Sequence, residues 1–254
     1  MIPRILIIAG SDSGGGAGIQ ADLKTVTLLG GHGMTAITAL TAQNTLGVLG
    51  VELVSTAMVL SQIDAVWDDI GVDAVKIGMI GSAETALAVA QRLEGTKVPV
   101  VFDPVMVTTS GAALANADTV AAFERLMRLA TVVTPNLPEL AALTGGEGDA
   151  LALARRLGTA VLAKGGHAEG EIIVDRLVRD GAETVEWRGS RIDPRHSHGT
   201  GCTLASGIAT GLGAGLSLTD AIGQARQFVR RALLSAPGLG AGNGPMGFRP
   251  GRLD

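Results

Sequence analysis

The stretch that decides the fold is a glycine-rich turn leading into an apolar segment, Ser197-His198-Gly199-Thr200-Gly201-Cys202-Thr203. After it, Leu204, Ile208 and Leu212 keep helical spacing, which predicts a helix whose N-terminus lies at this turn. Backbone N–H groups at a helix N-terminus lack partners within the helix, and small residues let an anion approach them closely. Taken alone, the stretch favours a simpler interpretation, in which the glycines only turn the chain. The rest of the sequence decides between the two.

Outward from this turn, short apolar runs alternate with helical patterns. The predicted strands are residues 4–9, 34–40, 74–77, 98–102, 131–134 and 160–163. Predicted helices cover residues 14–29, 59–70, 83–93, 114–129, 137–143, 149–157 and 217–234. Residues 171–178 and 182–187 alternate around Asp180-Gly181, which favours a hairpin. Continuously apolar strands separated by helices predict an α/β fold with a mainly parallel sheet covered on both faces.

Composition restricts the class of protein. Hydrophobic residues make up 46% of the 254 and charged residues 17%, as in globular proteins, and the net charge of −4 gives no basic surface for nucleic acid. The single cysteine excludes an internal disulfide and fits a reducing compartment, so we predict a cytoplasmic protein. We find no repeat or internal linker, and predict a single domain over residues 1–254 with a Gly/Pro-rich tail at 238–254.

Two long stretches without Lys, Arg, Asp or Glu, residues 25–51 and 196–219, raise the question of a membrane span. Both contain Thr, His and many glycines, which raise the cost of insertion into a bilayer. We therefore interpret them as buried elements of a soluble protein that has no membrane partner. Residues 1–10 lack the features of a signal peptide.

Polar residues follow the predicted strands. In parallel sheets ligands bind beyond the carboxyl ends of the strands, so we expect these residues in one crevice. They are Gln43, Met79 after Lys76, Asp103, the segment 134–139, and Lys164.

The glycine-rich segment 10–18 that follows the first strand matches a relaxed dinucleotide-binding pattern at Gly16, Gly18 and Ala21. That interpretation requires an acidic residue near the end of the second strand, and residues 36–43 contain none. We therefore reject a nicotinamide enzyme, and the absence of a Gly-x4-Gly-Lys pattern excludes a P-loop protein.

Three of the polar groups leave alternatives open. Asn136 and Glu139 have the spacing of a capping box, which explains them fully, but with Asp103 the acid could also hold Mg²⁺ through water. Lys164 suits a phosphate, although a lone lysine is more often solvated. A cysteine hydrolase built on Cys202 is disfavoured, because no third group is identifiable to orient a histidine.

Each of seven sequence motifs is weak evidence alone, but together, in this order and at these separations, they are specific. They are Ala9-Gly10-Ser11-Asp12 with residues 14–24, Ala42-Gln43-Asn44-Thr45, Lys76-Ile77-Gly78-Met79, Asp103-Pro104-Val105-Met106, and residues 134–139, 164–167 and 198–203. With this set the chain resembles the hydroxymethylpyrimidine/phosphomethylpyrimidine kinases of thiamine biosynthesis, in the ribokinase superfamily. The likeness extends from Ile5 to about Leu234.

The resemblance implies a ribokinase-like three-layer α/β/α sandwich that forms a homodimer. It implies phosphoryl transfer from MgATP to the hydroxymethyl group of the pyrimidine, and then to the monophosphate. Substrate-binding residues would be Gly10, Asp22, Gln43, Met79 and Val105. Asp103 and Glu139 would organise Mg²⁺, and Asn136, Lys164 and Arg195 would bind the nucleotide. The anion hole would be formed by Gly199, Thr200, Gly201 and Cys202.

Cys202 stands where most ribokinase relatives have the aspartate that accepts the hydroxyl proton. Because a thiol at a helix N-terminus has a lowered pKa, we predict that Cys202 can fill the same role. The chain departs from the family pattern at Pro194 and Arg195, where Thr and Lys are common, and Pro194 cannot donate a backbone hydrogen bond.

Two rival functions remain. A pyridoxal or pyridoxine kinase belongs to the same superfamily and acts on a similar flat ring, but Gln43 and Met79 favour the aminopyrimidine. A non-catalytic sensor of nucleotide or pyrimidine is disfavoured, because sensing needs no base.

Overall fold

The computed structural model describes residues 1–107, 115–167, 170–192 and 196–248. Its strands are β1 (Arg4–Asp12), β2 (His32–Gln43), β3 (Val48–Leu53), β4 (Ala74–Ile77), β5 (Val100–Phe102), β6 (Val132–Val133), β7 (Ala160–Ala163), β8 (Ile172–Val178) and β9 (Val185–Ser190). Its helices are α1 (Gly18–Leu28), α2 (Thr56–Asp69), α3 (Ala83–Leu93), α4 (Ala117–Leu129), α5 (Leu137–Leu143), α6 (Ala150–Leu157), α7 (Thr200–Gly213) and α8 (Leu218–Leu234).

The strands form one sheet in the order β3-β2-β1-β4-β5-β6-β7-β8-β9. From β2 to β7 neighbouring strands are parallel, while β3 at one edge and β8 and β9 at the other are antiparallel. The carboxyl ends of the parallel strands therefore meet along one rim of the sheet.

Both faces of the sheet are covered, because successive apolar residues of a strand point to opposite sides. In β1, Leu6 and Ile8 join a core with residues of α2 to α6, whereas Ile5 and Ile7 join a second core with residues of α1, α7 and α8. The predicted three-layer α/β/α sandwich with a mainly parallel sheet is confirmed. Within the described residues, no helix is long and apolar enough to cross a membrane.

The predicted elements agree with the structure except at their ends and at one strand. Helix α1 begins at Gly18 and not at residue 14, because the N–H groups of Gly14, Gly16 and Ala17 bind the side chain of Asp12 instead. Strand β3 was not predicted. Its side chains lie at an exposed edge, with Leu49 80% exposed, so it lacks the pattern of a buried strand.

Candidate active site

A cavity of about 1040 Å³ lies at the carboxyl ends of the parallel strands, as the sheet topology predicts. It is lined by residues from the ends of β1, β2, β4 and β5 and from the beginning of α7. Among the residues predicted for the site, those that line it are Gly10, Gln43, Met79, Asp103, Val105, Asn136, Glu139, Lys164, Gly199, Thr200, Gly201 and Cys202.

The glycine-rich turn does lie at a helix N-terminus. Gly199 precedes α7 with φ 85°, a left-handed conformation that favours glycine, and a Cβ there would collide with the carbonyl oxygen of Gly16. No side chain of the described residues caps α7. Thr200 N donates to Ser197 O at 3.2 Å and Thr203 N to Gly199 O at 2.9 Å. Within the described residues, the N–H groups of Gly201 and Cys202 therefore remain available to an anion in the cavity.

Two charged side chains face this turn. Lys164 Nζ lies 2.7 Å from Asp103 Oδ1, which also accepts a hydrogen bond from Thr134 Oγ1 at 2.9 Å. A Cβ on Gly201 would lie 3.2 Å from Lys164 Nζ and 3.3 Å from Asp103 Oδ2, so only a glycine fits comfortably against the pair. The structure thus brings together the turn, the acid and the lysine, which are far apart in sequence.

Lys164 keeps its positive charge in this environment. Burial favours the neutral amine, but the carboxylates of Asp103 and Glu139 hold the pKa of Lys164 above its ordinary value. A fixed cation beside a helix N-terminus is an arrangement that binds a phosphoryl group.

Asn136 and Glu139 form the predicted capping box at the start of α5. Asn136 N donates to Glu139 Oε2 and Glu139 N donates to Asn136 Oδ1, both at 2.8 Å. Glu139 nevertheless lines the cavity while it is largely buried. Burial and the neighbouring charge of Asp103 raise the pKa of Glu139 to about 7, against the opposing effect of Lys164.

The donor set suits Mg²⁺ better than a metal that needs a full protein cage. Among the described residues, no group of three or more His, Cys, Asp or Glu side chains is placed to hold a metal ion. Asp103 and Glu139 are two oxygen donors in one cavity, and Mg²⁺ in nucleotide-binding sites takes one or two carboxylates, with water and phosphate as further ligands. These residues therefore fit a nucleotide-bound Mg²⁺.

Asp22 was expected among the substrate-binding residues, but it does not line the cavity. It is fully buried beneath it, where its carboxylate accepts from Lys76 Nζ at 2.7 Å and from Ser206 Oγ at 2.6 Å. Burial opposes the charge on Lys76, but Asp22, Cys202 and Asp103 together hold the pKa of Lys76 above its ordinary value. Asp22 thus fixes a buried cation instead of contacting a ligand.

The prediction that Cys202 has a lowered pKa is wrong. Burial raises the pKa of Cys202 to about 11, and the charges of Asp22 and Asp103 add to this effect. Lys76 and the N–H of Gly18 act in the opposite direction but do not outweigh it. At neutral pH Cys202 is a thiol.

At the other end of the cavity, a histidine contacts the last residues of β1 and β2. His198 Nε2 lies 2.7 Å from Gln43 Nε2 and 3.0 Å from Asp12 Oδ2. Burial favours a neutral Asp12, but hydrogen bonds from His198 and from the N–H groups of Ala17 and Gly14 hold the pKa of Asp12 below its usual range. Gly10 and Met79 complete this side, with the Met79 sulfur 3.0 Å from the Cβ position of Gly10.

Five residues of the site were not predicted from the sequence, and one of them is His198 in the turn before α7. Asp12 and Lys76 stand within quoted motifs, and their positions at the ends of β1 and β4 are the signal that could have found them. Asp175 of β8 and Arg226 of α8 also line the cavity and form a 2.7 Å ion pair, but no sequence pattern pairs these elements. Arg195 and Pro194 lie outside the described residues.

Comparison with known proteins agrees with this geometry. Residues 12–247 match the family model of phosphomethylpyrimidine kinase. The chain is 48% identical to hydroxymethylpyrimidine/phosphomethylpyrimidine kinase of Streptomyces coelicolor, over 96% of this chain and 93% of that protein.

Two solved structures are similar. Phosphomethylpyrimidine kinase from Clostridium difficile has a TM-score of 0.78 and 38% identity over 92% of this chain and all of that chain. The ADP complex of Bacillus subtilis pyridoxal kinase has a TM-score of 0.88 and 32% identity over the whole of both chains. By its sequence match, and with a cavity that brings the motif residues together, the chain belongs to the phosphomethylpyrimidine kinase family.

Proposed function

We propose that this protein transfers a phosphoryl group from ATP to 4-amino-5-hydroxymethyl-2-methylpyrimidine, and then to its monophosphate to give the diphosphate, as a step of thiamine biosynthesis. One observation carries the proposal: the N-terminus of α7, the Asp103–Lys164 pair and Gln43 line the same cavity. The names of its relatives support the choice of substrate, because the curated proteins that it resembles at 48–50% identity along their length are hydroxymethylpyrimidine/phosphomethylpyrimidine kinases.

In the proposed reaction, the hydroxyl oxygen of the pyrimidine forms a bond to the γ-phosphorus while the bond from that phosphorus to the bridging oxygen of ADP breaks. The N–H groups at the start of α7 and the ammonium of Lys164 hold the migrating group and its charge. Asp103 and Glu139 would hold Mg²⁺, which neutralises charge on the triphosphate when bound. Asn136 and Arg195 belong to the nucleotide side of this proposal.

The substrate side recognises the ring. The amide of Gln43 offers donors and an acceptor to the aminopyrimidine, while Met79 and Val105 pack on its faces. The chain contains no tyrosine and its aromatic content is only 2%, so aliphatic and methionine side chains supply most of the apolar contact.

The hydroxyl proton leaves in the same step. Cys202 is protonated in the free protein, so it cannot accept that proton unless it first loses its own. Phosphoryl transfer depends mainly on positioning and charge neutralisation, and the hydroxyl proton can pass late in the step to an oxygen of the transferred phosphoryl group. We therefore assign Cys202 chiefly to the anion hole, through its backbone N–H.

A homodimer and a cytoplasmic location complete the proposal. The exposed apolar side chains of β3, namely Leu49, Val51 and Leu53, lie along one edge of the sheet and support a self-association surface. Sedimentation equilibrium tests the dimer: a single monomeric species at micromolar concentration would contradict it.

A second candidate is phosphorylation of pyridoxal or pyridoxine, since pyridoxal kinase structures are among the most similar in fold. The deciding experiment measures ADP release with hydroxymethylpyrimidine, its monophosphate and pyridoxine in turn. We expect release with the first two, and a kcat/KM for pyridoxine at least about tenfold lower, because its ring lacks the amino group that Gln43 would contact. Equal or higher kcat/KM with pyridoxine would favour the second candidate, and no release with any of them would leave a binding protein.

A further inference from the structure

The segment after α8, residues 238–248, is named the C-terminal strap here. Its composition predicts an irregular tail, but within the described residues it packs against three loops that surround the cavity. Close contacts explain four of its five glycines, at positions 240, 242, 244 and 247, while Gly238 has a left-handed φ of 72°.

The first contact is with the loop between β2 and β3, directly after Gln43. Asn243 N donates to Thr45 O at 2.9 Å, and Gly242 N donates to Thr45 Oγ1 at 3.3 Å. A Cβ on Gly242 would collide with the carbonyl of Thr45, so the two backbones touch.

The second contact is with the turn before α7. His198 N donates to Gly244 O at 3.3 Å, and His198 and Pro245 form a parallel bridge. A Cβ on Gly244 would lie 2.5 Å from both His196 Nδ1 and Leu239 O, so no larger residue fits there without movement.

The third contact is with the glycine-rich loop after β1. The Cβ position of Gly16 lies 3.4 Å from Pro245 Cβ and 2.5 Å from His198 Cδ2. At the end of the strap, the ring of Phe248 lies 5.3 Å from Lys24 Nζ, which donates to Gly15 O at 2.8 Å. The strap thus packs His198 against this loop from outside the cavity.

We propose that the C-terminal strap is a positioning element of the pyrimidine site, a role that rests on the proposed function. By holding the backbone of His198, the strap places its imidazole between Asp12 and Gln43, and so orients the amide that contacts the substrate. The strap does not line the cavity and takes no part in the reaction itself.

The test uses two strap variants and one control in the full-length protein. Gly244→Ala strains the strap and its contact with the turn, because the new Cβ collides with Leu239 O inside the strap and with His196 Nδ1 of the turn. Phe248→Ala removes only the terminal packing of the strap. Gly31→Ala is the control, because its Cβ would also press on a neighbour, at 2.8 Å from Val26 Cγ1. Gly31 lies just before β2 and does not line the cavity. Melting temperatures verify that each variant is folded.

For Gly244→Ala we expect the KM for hydroxymethylpyrimidine to rise about tenfold, the effect of losing one oriented hydrogen bond, with the KM for ATP changed less than about twofold. Phe248→Ala should also raise the KM for hydroxymethylpyrimidine, but by less. Gly31→Ala should change neither this KM nor the KM for ATP. Unchanged constants in folded Gly244→Ala and Phe248→Ala, or an equal rise in both constants, would overturn the proposal.

Hydrogen exchange separates this proposal from the proposed function. The N–H groups of Gly16 and Ala17 bind Asp12 Oδ2, which His198 contacts. Gly244→Ala should speed their exchange relative to wild type and to Gly31→Ala, whether or not pyrimidine is a substrate. If wild type released no ADP with pyrimidine but this exchange still rose, only the proposed function would fail. Unchanged exchange would overturn the role of the strap.

Discussion

At the phosphate end of the cavity, the two charged side chains directly follow strands of the sheet. At the pyrimidine end, two residues that end strands, Asp12 and Gln43, contact His198, a turn residue that meets them only in the folded chain. Asp103 follows β5 and Lys164 follows β7, so the order of the strands places them at the same rim with only β6 between them, and the long side chain of Lys164 spans that gap. Asp12, at the end of β1, and His198, in the turn before α7, are 186 residues apart. The C-terminal strap packs against that turn and against the loop that follows Asp12. The first end depends on topology and charge, the second on local packing.

The largest expected effect is at the phosphate end. Lys164→Met removes the cation that faces the start of α7, so we expect kcat to fall about 10²- to 10³-fold, with the KM for pyrimidine nearly unchanged. Steady-state kinetics with ATP and hydroxymethylpyrimidine measure both. The exposed Lys97→Met is the control.

Loss of stability must be distinguished from loss of catalysis in this variant, because Asp103 is left buried without its cation. The double variant Asp103→Asn with Lys164→Met removes both charges. It should recover part of the melting temperature but none of the activity. A kcat for Lys164→Met within threefold of wild type would contradict the role of Lys164 in transfer.

The second effect is at the pyrimidine end. Gln43→Ala removes the amide near His198, and we expect the KM for pyrimidine to rise about 10- to 100-fold while the KM for ATP stays within about twofold. Gln91→Ala, on the exposed face of α3, is the control. If Gln43→Ala weakened ATP and pyrimidine equally, the two ends of the cavity would not be separable.

The contrast between the two ends also explains what the sequence could predict. The rule that ligands bind at the carboxyl ends of parallel strands locates Asp103 and Lys164 without any knowledge of side-chain packing. The capping box of Asn136 and Glu139 is local, so its spacing was enough.

The features that were not predicted depend on contacts between residues far apart in the sequence, which the spacing of motifs does not reveal. Asp22 was expected in the substrate site, but the orientation of α1 turns it beneath the cavity towards Lys76 and Ser206. The pKa of Cys202 was predicted from its helix N-terminus alone, without burial or the two buried carboxylates nearby. The strap is irregular, as its composition predicts, but its contacts were not predicted. They join it to Thr45 and His196, which are distant in sequence, so the spacing of its glycines does not reveal them.

Glu139 at the phosphate end has two roles to be separated, as a cap of α5 and as a proposed Mg²⁺ ligand, and here we expect a smaller effect. Its pKa of about 7 means that the side chain is half protonated near neutrality, and only the carboxylate holds Mg²⁺ well. As pH falls from 8 to 6, we therefore expect the Mg²⁺ concentration for half-maximal activity to rise about tenfold. Activity titrated with MgCl₂ at each pH measures this.

Glu139→Gln is the matched variant, since a glutamine at this position can keep the capping box but does not titrate. It should need more Mg²⁺ at pH 8 and lose most of the pH dependence. The same pH dependence in Glu139→Gln as in wild type would assign that titration to another group and leave Glu139 as a cap only.

The smallest effect is expected at Cys202, which lines the cavity in the first turn of α7. With a pKa of about 11 the thiol is almost wholly protonated at pH 7, so its removal costs little base catalysis. Cys202→Ala keeps the backbone N–H that belongs to the anion hole, and we expect kcat to fall by no more than about tenfold, with ATP binding unchanged. Steady-state rates measure kcat, and calorimetry with a non-hydrolysable ATP analogue measures ATP binding. A loss of 10³-fold with intact ATP binding would show that the thiol is deprotonated in the substrate complex, whereas an unchanged kcat would leave the backbone as the sole contribution of this residue.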